Sequence, residues 1–287
     1  MLLQEVIGKT FGPYVYSYGP REVMLYALGV GADDRDLDYL YEARGPRVLP
    51  MFFGASAFAD SCDVVLEELD LDGKPLIHTE QELILTGELP PAGSLVNLVT
   101  ITRVHDAGTG AVIDIECLTE VDGRPVCRTR VGLFSLGAGG FGGNGAFEAE
   151  RHPPPARPAD RVIAMSTGSD QSLLYRLSFL HPIEPGEPDG GVGDPHVDPA
   201  TARAAGFDAP VLHGICTLGF LCRAAMAELD RIGAKRMSRF VGRFTAPAHP
   251  GHSLTAEMWH CDERIVARLR NGDGTDVISD AAVEYDI

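Results

Sequence analysis

The chain has 287 residues, 45% of them hydrophobic, and a mean hydropathy of +0.01, an ordinary globular composition long enough for two modest domains or one large one. With 41 acidic against 24 basic side chains the formal net charge is −17, which argues against a role resting on nucleic acid phosphates, and no basic stripe appears. No apolar run approaches the roughly 20 residues that span a bilayer, no secretory leader is expected, and six scattered cysteines without a C-x-x-C pair read as small buried hydrophobes in a reducing cytosol.

In chain order, the first signal is an amphipathic helix over residues 20–31, opened by Pro20 and closed by glycine. A second helix, rich in small and apolar residues, is expected between Pro50 and Leu69. Four strand-like runs follow at 76–86, 94–106, 111–123 and 125–137. Alternation and β-branched residues support them, and Gly108-Thr109-Gly110 and Asp122-Gly123 punctuate them as hairpin turns. The glycine-rich loop that comes next follows neither Rossmann nor P-loop spacing, so nucleotide binding is only weakly suggested. The proline-stiffened segment 152–160 marks a domain boundary, dividing residues 1–150 from 151–287. The second part repeats the order of the first: a short helix at 171–177, a loop, a long helix, and strand-like runs at 239–250, 253–262, 264–274 and 275–286. Helix followed by antiparallel hairpins, twice, predicts two α+β units that each wrap a helix in a sheet.

The residues able to do chemistry concentrate between Leu173 and Leu229. Ile215, Leu218, Leu221, Cys222, Ala225, Met226 and Leu229 follow helical spacing, with an apolar surface wide enough for burial on nearly every face. Pro210 and His213-Gly214 mark the start of this helix, where free backbone N–H groups point at whatever sits there. Asp198-Pro199 opens a shorter helix, with Asp198 as its capping carboxylate, and Gly206 closes it. Between Ser178 and Asp198 four prolines and four glycines forbid a regular element. A structureless loop of this length is more often functional than not, and it contains His181, Asp189, Asp194 and His196. A titratable loop beside a buried helix N-terminus is the place to look for acid–base chemistry. His213 either lines the pocket or bonds nearby backbone. The histidines show no ligand spacing, and no metal is expected.

Longer motifs carry a family resemblance. Tyr175-Arg176-Leu177-Ser178, His196-x-Asp198-Pro199 and Ala205-Gly206-Phe207-Asp208-x-Pro210-x-Leu212-His213-Gly214-x-Cys216-Thr217-x-Gly219 resemble the hydratase 2 group of MaoC-like dehydratases. Residues 22–32, His78-x-Glu80-Gln81, Gly139-Gly140-Phe141-Gly142-Gly143 and Arg243-Phe244-x-Ala246-Pro247-x-x-Pro250-Gly251 extend the likeness over nearly the whole length. The resemblance implies an α+β double hot-dog fold, two antiparallel sheets each wrapping a central helix. It implies a hydro-lyase that adds water to a trans-2-enoyl-CoA to give the (3R)-3-hydroxyacyl-CoA, without a cofactor.

In that frame Asp194 and His196 are the catalytic pair and the Gly214 amide holds the thioester oxygen. His213, His78, Gly142 and Gly143 contact the acyl-CoA. The half 1–150 supplies the acyl tunnel, suited to a bulky fatty or sterol side chain, and the half 151–287 the chemistry. A cytoplasmic homodimer is expected. The motif is nevertheless altered: Asp194 and His196 stand two apart where the family has five, the family's asparagine is missing, and residues are inserted after Ser178. Asp189 can therefore replace Asp194, and His181 can enter the site. Two other readings remain open, an inactive acyl-CoA-binding partner subunit and a thioesterase on the same fold.

Overall fold

The computed structural model describes residues 3–69, 71, 74–142, 150–181 and 194–287. The first half runs β1 (Thr10–Tyr18), α1 (Pro20–Gly29), α2 (Leu37–Leu40), α3 (Met51–Glu68), β2 (Leu76–Leu85), β3 (Gly93–Asp106), β4 (Gly110–Val121) and β5 (Arg124–Leu136). The second runs β6 (Arg161–Ser166), α4 (Gln171–Arg176), α5 (Pro199–Ala204), α6 (Gly214–Ile232), β7 (Arg236–Phe244), β8 (Ser253–Cys261), β9 (Arg264–Asn271) and β10 (Asp276–Asp286). Each half wraps one long helix, α3 or α6, in five antiparallel strands, which makes a double hot-dog.

Strand order is β1-β3-β4-β5-β2-β7-β10-β9-β8-β6. The two sheets are thus hydrogen-bonded edge to edge through β2 and β7, where Glu80 faces Arg243 and Glu82 faces Val241. Carboxylates this buried need partners. Glu80 receives Arg130 at 2.5 Å and Arg243 at 3.0 Å, and Glu82 receives Arg239 at 2.5 Å. The two strands not anticipated from sequence, β1 and β6, are the outermost ones. Their alternation is poor for good reason: each pairs on one side only, and β1 carries Gly12-Pro13 at a shift in register between Phe11 and Tyr14.

Alternation decides the rest. Ala111, Ile113, Ile115 and Cys117 of β4 and Val99 and Ile101 of β3 are fully buried under α3. On α6, Leu218, Phe220, Leu221, Cys222 and Ala225 are equally inaccessible, and Gly233 ends the helix in the left-handed conformation at φ 73°. The end of α1 presses onto this helix. Gly31 has φ +79°, and a Cβ there would lie 2.3 Å from the Phe220 ring, so only glycine fits. The proline-rich linker is strapped to the second half: Trp259 Nε1 donates to the Arg157 carbonyl at 2.9 Å, and the His152 amide donates to Asp280 at 3.1 Å. Among the described residues no helix is long and apolar enough to cross a membrane.

Candidate active site

The site is built where α6 begins. Leu212 donates to the Ala248 carbonyl at 2.7 Å, and His213 at φ −55°, ψ 133° turns the chain into the helix without a side-chain cap. The first amides of a helix have no partners within it, and its dipole favours negative charge there. Gly214 is the first helical residue. A Cβ on it would lie 3.2 Å from two carbons of Phe244, so that ring covers the residue closely. Phe244 in turn meets His78, with ring centroids 4.2 Å apart, and Phe58 stacks on His78 at 4.2 Å and 17°. Burial lowers the His78 pKa to about 3, against a small opposing contribution from the Glu80 backbone, so its ring is neutral.

The return of the long loop supplies the polar groups. The amides of Val197 and Asp198 donate to the Asp194 carbonyl at 3.1 and 2.9 Å, and the His196 amide donates to Asp194 Oδ1 at 2.8 Å. This turn fixes the short Asp194–His196 spacing. Asp194 Oδ2 lies 3.6 Å from Arg176 Nε, delivered by α4. Asp198 caps α5, accepting from Thr201 N at 2.8 Å and Thr201 Oγ1 at 2.6 Å.

His196 Nδ1 sits 2.9 Å from the Val211 carbonyl. A carbonyl only accepts, so Nδ1 carries a proton and the neutral ring keeps its lone pair on Nε2. The His196 ring stacks on His213 at 3.9 Å and 27°. His213 is buried, and burial first, then the neighbouring His196 and Arg176, holds its pKa well below the ordinary range. One ligand-type atom from each of Asp194, His196 and His213 lies within 4.8 Å of the others. A pocket of about 440 Å³ opens at His196, bordered by Ser169, Ser172, Asp208, His249 and His252.

Asp194, His196, His213 and Gly214 therefore come together, and His78 joins them through Phe244. The Gly142 amide donates to Asp106 at 2.6 Å, as do those of Gly108 and Gly140 at 2.7 and 3.0 Å. That amide is committed to the β3–β4 hairpin. Gly143 and Asp189 lie outside the described residues. His181 does not enter this site. Its Nε2 lies 2.8 Å from the Tyr16 hydroxyl, 3.0 Å from Asp60 and 3.5 Å from Asp63, in the first half.

Sequence reasoning missed Arg176 as the partner of Asp194, the Val211 carbonyl, and the rings of Phe58 and Phe244. Arg176 lies inside the Tyr175-Arg176-Leu177-Ser178 motif, but its direction follows only from α4. Sequence spacing also gave no ligand cluster, yet among the described residues the fold gathers two, Asp194/His196/His213 and Asp60/Asp63/His181.

Fold and pocket together define a double hot-dog protein with a candidate acid–base site at the start of its second long helix. Residues 16–137 match the family model of the MFE-2 hydratase 2 N-terminal domain, and residues 195–282 match that of the MaoC like domain. The chain is 33% identical to enoyl-CoA hydratase 2, peroxisomal, of Arabidopsis thaliana, over 89% of this chain and 86% of that one. It is also 33% identical to 3-hydroxyacyl-thioester dehydratase Y of Mycobacterium tuberculosis, covering 97% of each. The structure of full-length peroxisomal multifunctional enzyme type 2 from Drosophila melanogaster superposes with a TM-score of 0.76 at 30% identity, over 95% of this chain. The chain spans 48% of that protein, about half its length. This chain belongs to the MaoC-like hydratase 2 family.

Proposed function

We propose that the protein is a hydro-lyase that adds water reversibly to a trans-2-enoyl-CoA, giving the (3R)-3-hydroxyacyl-CoA. The observation that carries this reading is the gathering of Asp194, His196 and His213 within 4.8 Å at the N-terminus of α6. A gap of that width lets one water bridge carboxylate and imidazole at ordinary hydrogen-bond lengths. Asp194 holds the water, and the His196 Nε2 lone pair takes a proton as the oxygen bonds to C3. Electrons of the C2–C3 double bond move onto the thioester, whose oxygen the Gly214 amide receives; a donor of this kind contributes about 100- to 1000-fold in rate. The proton then returns to C2, so that water is consumed whole and no cofactor is required.

His213 and His78 line the site as neutral rings. Their burial keeps them uncharged, so His213 holds His196 by stacking without competing for the proton. The coenzyme approaches through the pocket beside His249 and His252, and the first half flanks the acyl chain. Six free cysteines suit a reducing compartment, and we place the protein in the cytoplasm as a homodimer. Purified protein should bleach the conjugated-thioester absorbance of a short trans-2-enoyl-CoA without added metal or nucleotide. Release of free coenzyme A instead would mean thioesterase chemistry, and binding without turnover a partner subunit.

A further inference from the structure

From the open pocket inward the contacts run in one line. His196 borders the pocket, its ring stacks on His213, and the Phe179 ring stands edge-on to His213 at 5.6 Å and 87°. Phe179 meets Tyr175 edge-on as well, at 5.3 Å. Beyond Phe179 lies a second cavity of about 10 Å³, room for one water, between α1 and α3. Its α3 wall is built of Phe52 and three small residues, Ala55, Ser56 and Ala59, and its cover is the segment 178–181.

That cover is fastened at both ends. Ser178 Oγ donates to the Tyr175 carbonyl at 2.7 Å. His181 is tied to Asp60, a fully buried carboxylate that also receives Tyr16 Oη at 2.5 Å and Asn97 Nδ2 at 2.6 Å. Phe179 is thus held from the core between the candidate catalytic histidines and a slot narrowed to a single water.

We propose that Phe179 is a specificity-determining residue, a partition that closes the α1–α3 slot and makes the protein favour short acyl chains over long ones. This rests on the acyl-CoA reading given above. A chain of more than a few carbons has to displace the ring and give up its contacts with His213 and Tyr175. A shorter side chain at 179 joins the slot to the site, where Ala55, Ser56 and Ala59 leave space along α3. His181 acts through Phe179, as the anchor of the segment that carries it.

The test is calorimetric titration of the full chain with saturated butanoyl-CoA and decanoyl-CoA, with hydration of the matching enoyl-CoAs followed alongside. Burial of apolar surface by itself favours the longer chain, so discrimination against it is diagnostic. The wild type is expected to bind butanoyl-CoA at least about 10-fold more tightly than decanoyl-CoA. Phe179→Ala should abolish or invert that ratio, Phe179→Leu should fall between, and His181→Gln should shift it the same way. Melting curves show that each variant is folded. A wild-type preference for decanoyl-CoA, or a ratio unmoved in both Phe179 variants, overturns the proposal. Binding without turnover sinks the hydratase reading while the ratio still decides the partition; no binding of either acyl-CoA sinks both.

Discussion

Among the described residues there are two Asp–His clusters, one gathered on α3 of the first half and one at the start of α6, and they differ in surroundings more than in composition. In the first half Asp60 has no exposure, and its oxygens receive Tyr16, His181 and Asn97; Asn97 is held in turn by Thr119. Such a network fixes a core and leaves little for a substrate to bind. In the second half Asp194 spends one oxygen on the His196 backbone, and the ring of His196 borders a large pocket at the start of α6. The same residue types brace one half and furnish chemistry in the other, and the open face beside a helix N-terminus makes the difference.

The largest expected effect breaks that comparison most directly. Asp194→Asn and His196→Ala should each lower kcat by at least about 100-fold with the melting temperature nearly unchanged, because both lie on a partly exposed turn. The double variant should be scarcely worse than the worse single one, as for groups acting as a unit. Gly214→Pro comes next. It removes the amide that meets the oxygen, with an expected loss of about 100- to 1000-fold. Because a ring there presses on Phe244, stability should also fall by about 1–3 kcal/mol in denaturant titration.

Asp60→Asn should do the reverse. Leaving buried partners of Asp60 mismatched costs about 1–3 kcal/mol of stability, while turnover of a short substrate stays within a few-fold. If turnover collapses instead, the first cluster belongs to the reaction.

Smaller effects appear in the pH dependence of stability. Burial alone would lower the His181 pKa, but the hydrogen bond to Asp60 and the charges of Asp60 and Asp63 outweigh it and raise the value above 6.5. Its contribution is fully present below the unfolded value of 6.5 and fades as pH rises through the folded one. His78 is the opposite case, with a folded value of about 3. Its neutral ring stabilises the fold above pH 6.5, and that contribution is lost as pH falls from 6.5 towards 3. His181→Gln should flatten the alkaline side of a stability–pH profile and His78→Phe the acid side. Smallest of all, a chelator should leave turnover unchanged; a large loss would mean that one of the two clusters holds an ion.

Much of this was legible in the chain. Pro20, Asp198-Pro199, Gly206 and the hairpin glycines mark element ends by backbone chemistry, and the alternation of β3 and β4 comes from one buried face. The edge strands β1 and β6 were not legible, since a strand paired on one side is free to carry proline and to expose alternate residues irregularly. Within the candidate site, the HxDP frame and His213-Gly214 meet at the start of α6, where the His196 ring stacks on His213. Arg176 and Phe244 were hidden because their roles depend on directions set by α4 and β7. His181 shows the limit best. Its sequence neighbours left it open to joining His196, but a buried carboxylate on α3 draws it to the other half. The partner of the Gly142 amide was equally hidden, because Asp106 stands 36 residues earlier.

The most direct measurement is hydration of trans-2-butenoyl-CoA by His196→Ala and His181→Gln under identical conditions, with the chirality of the product determined. His181→Gln is predicted to yield the (3R) alcohol at close to the wild-type rate, and His196→Ala to fall by at least about 100-fold. Loss of activity in His181→Gln with retention in His196→Ala, or a (3S) product from the wild type, would contradict the assignment of the chemistry to the Asp194–His196 site.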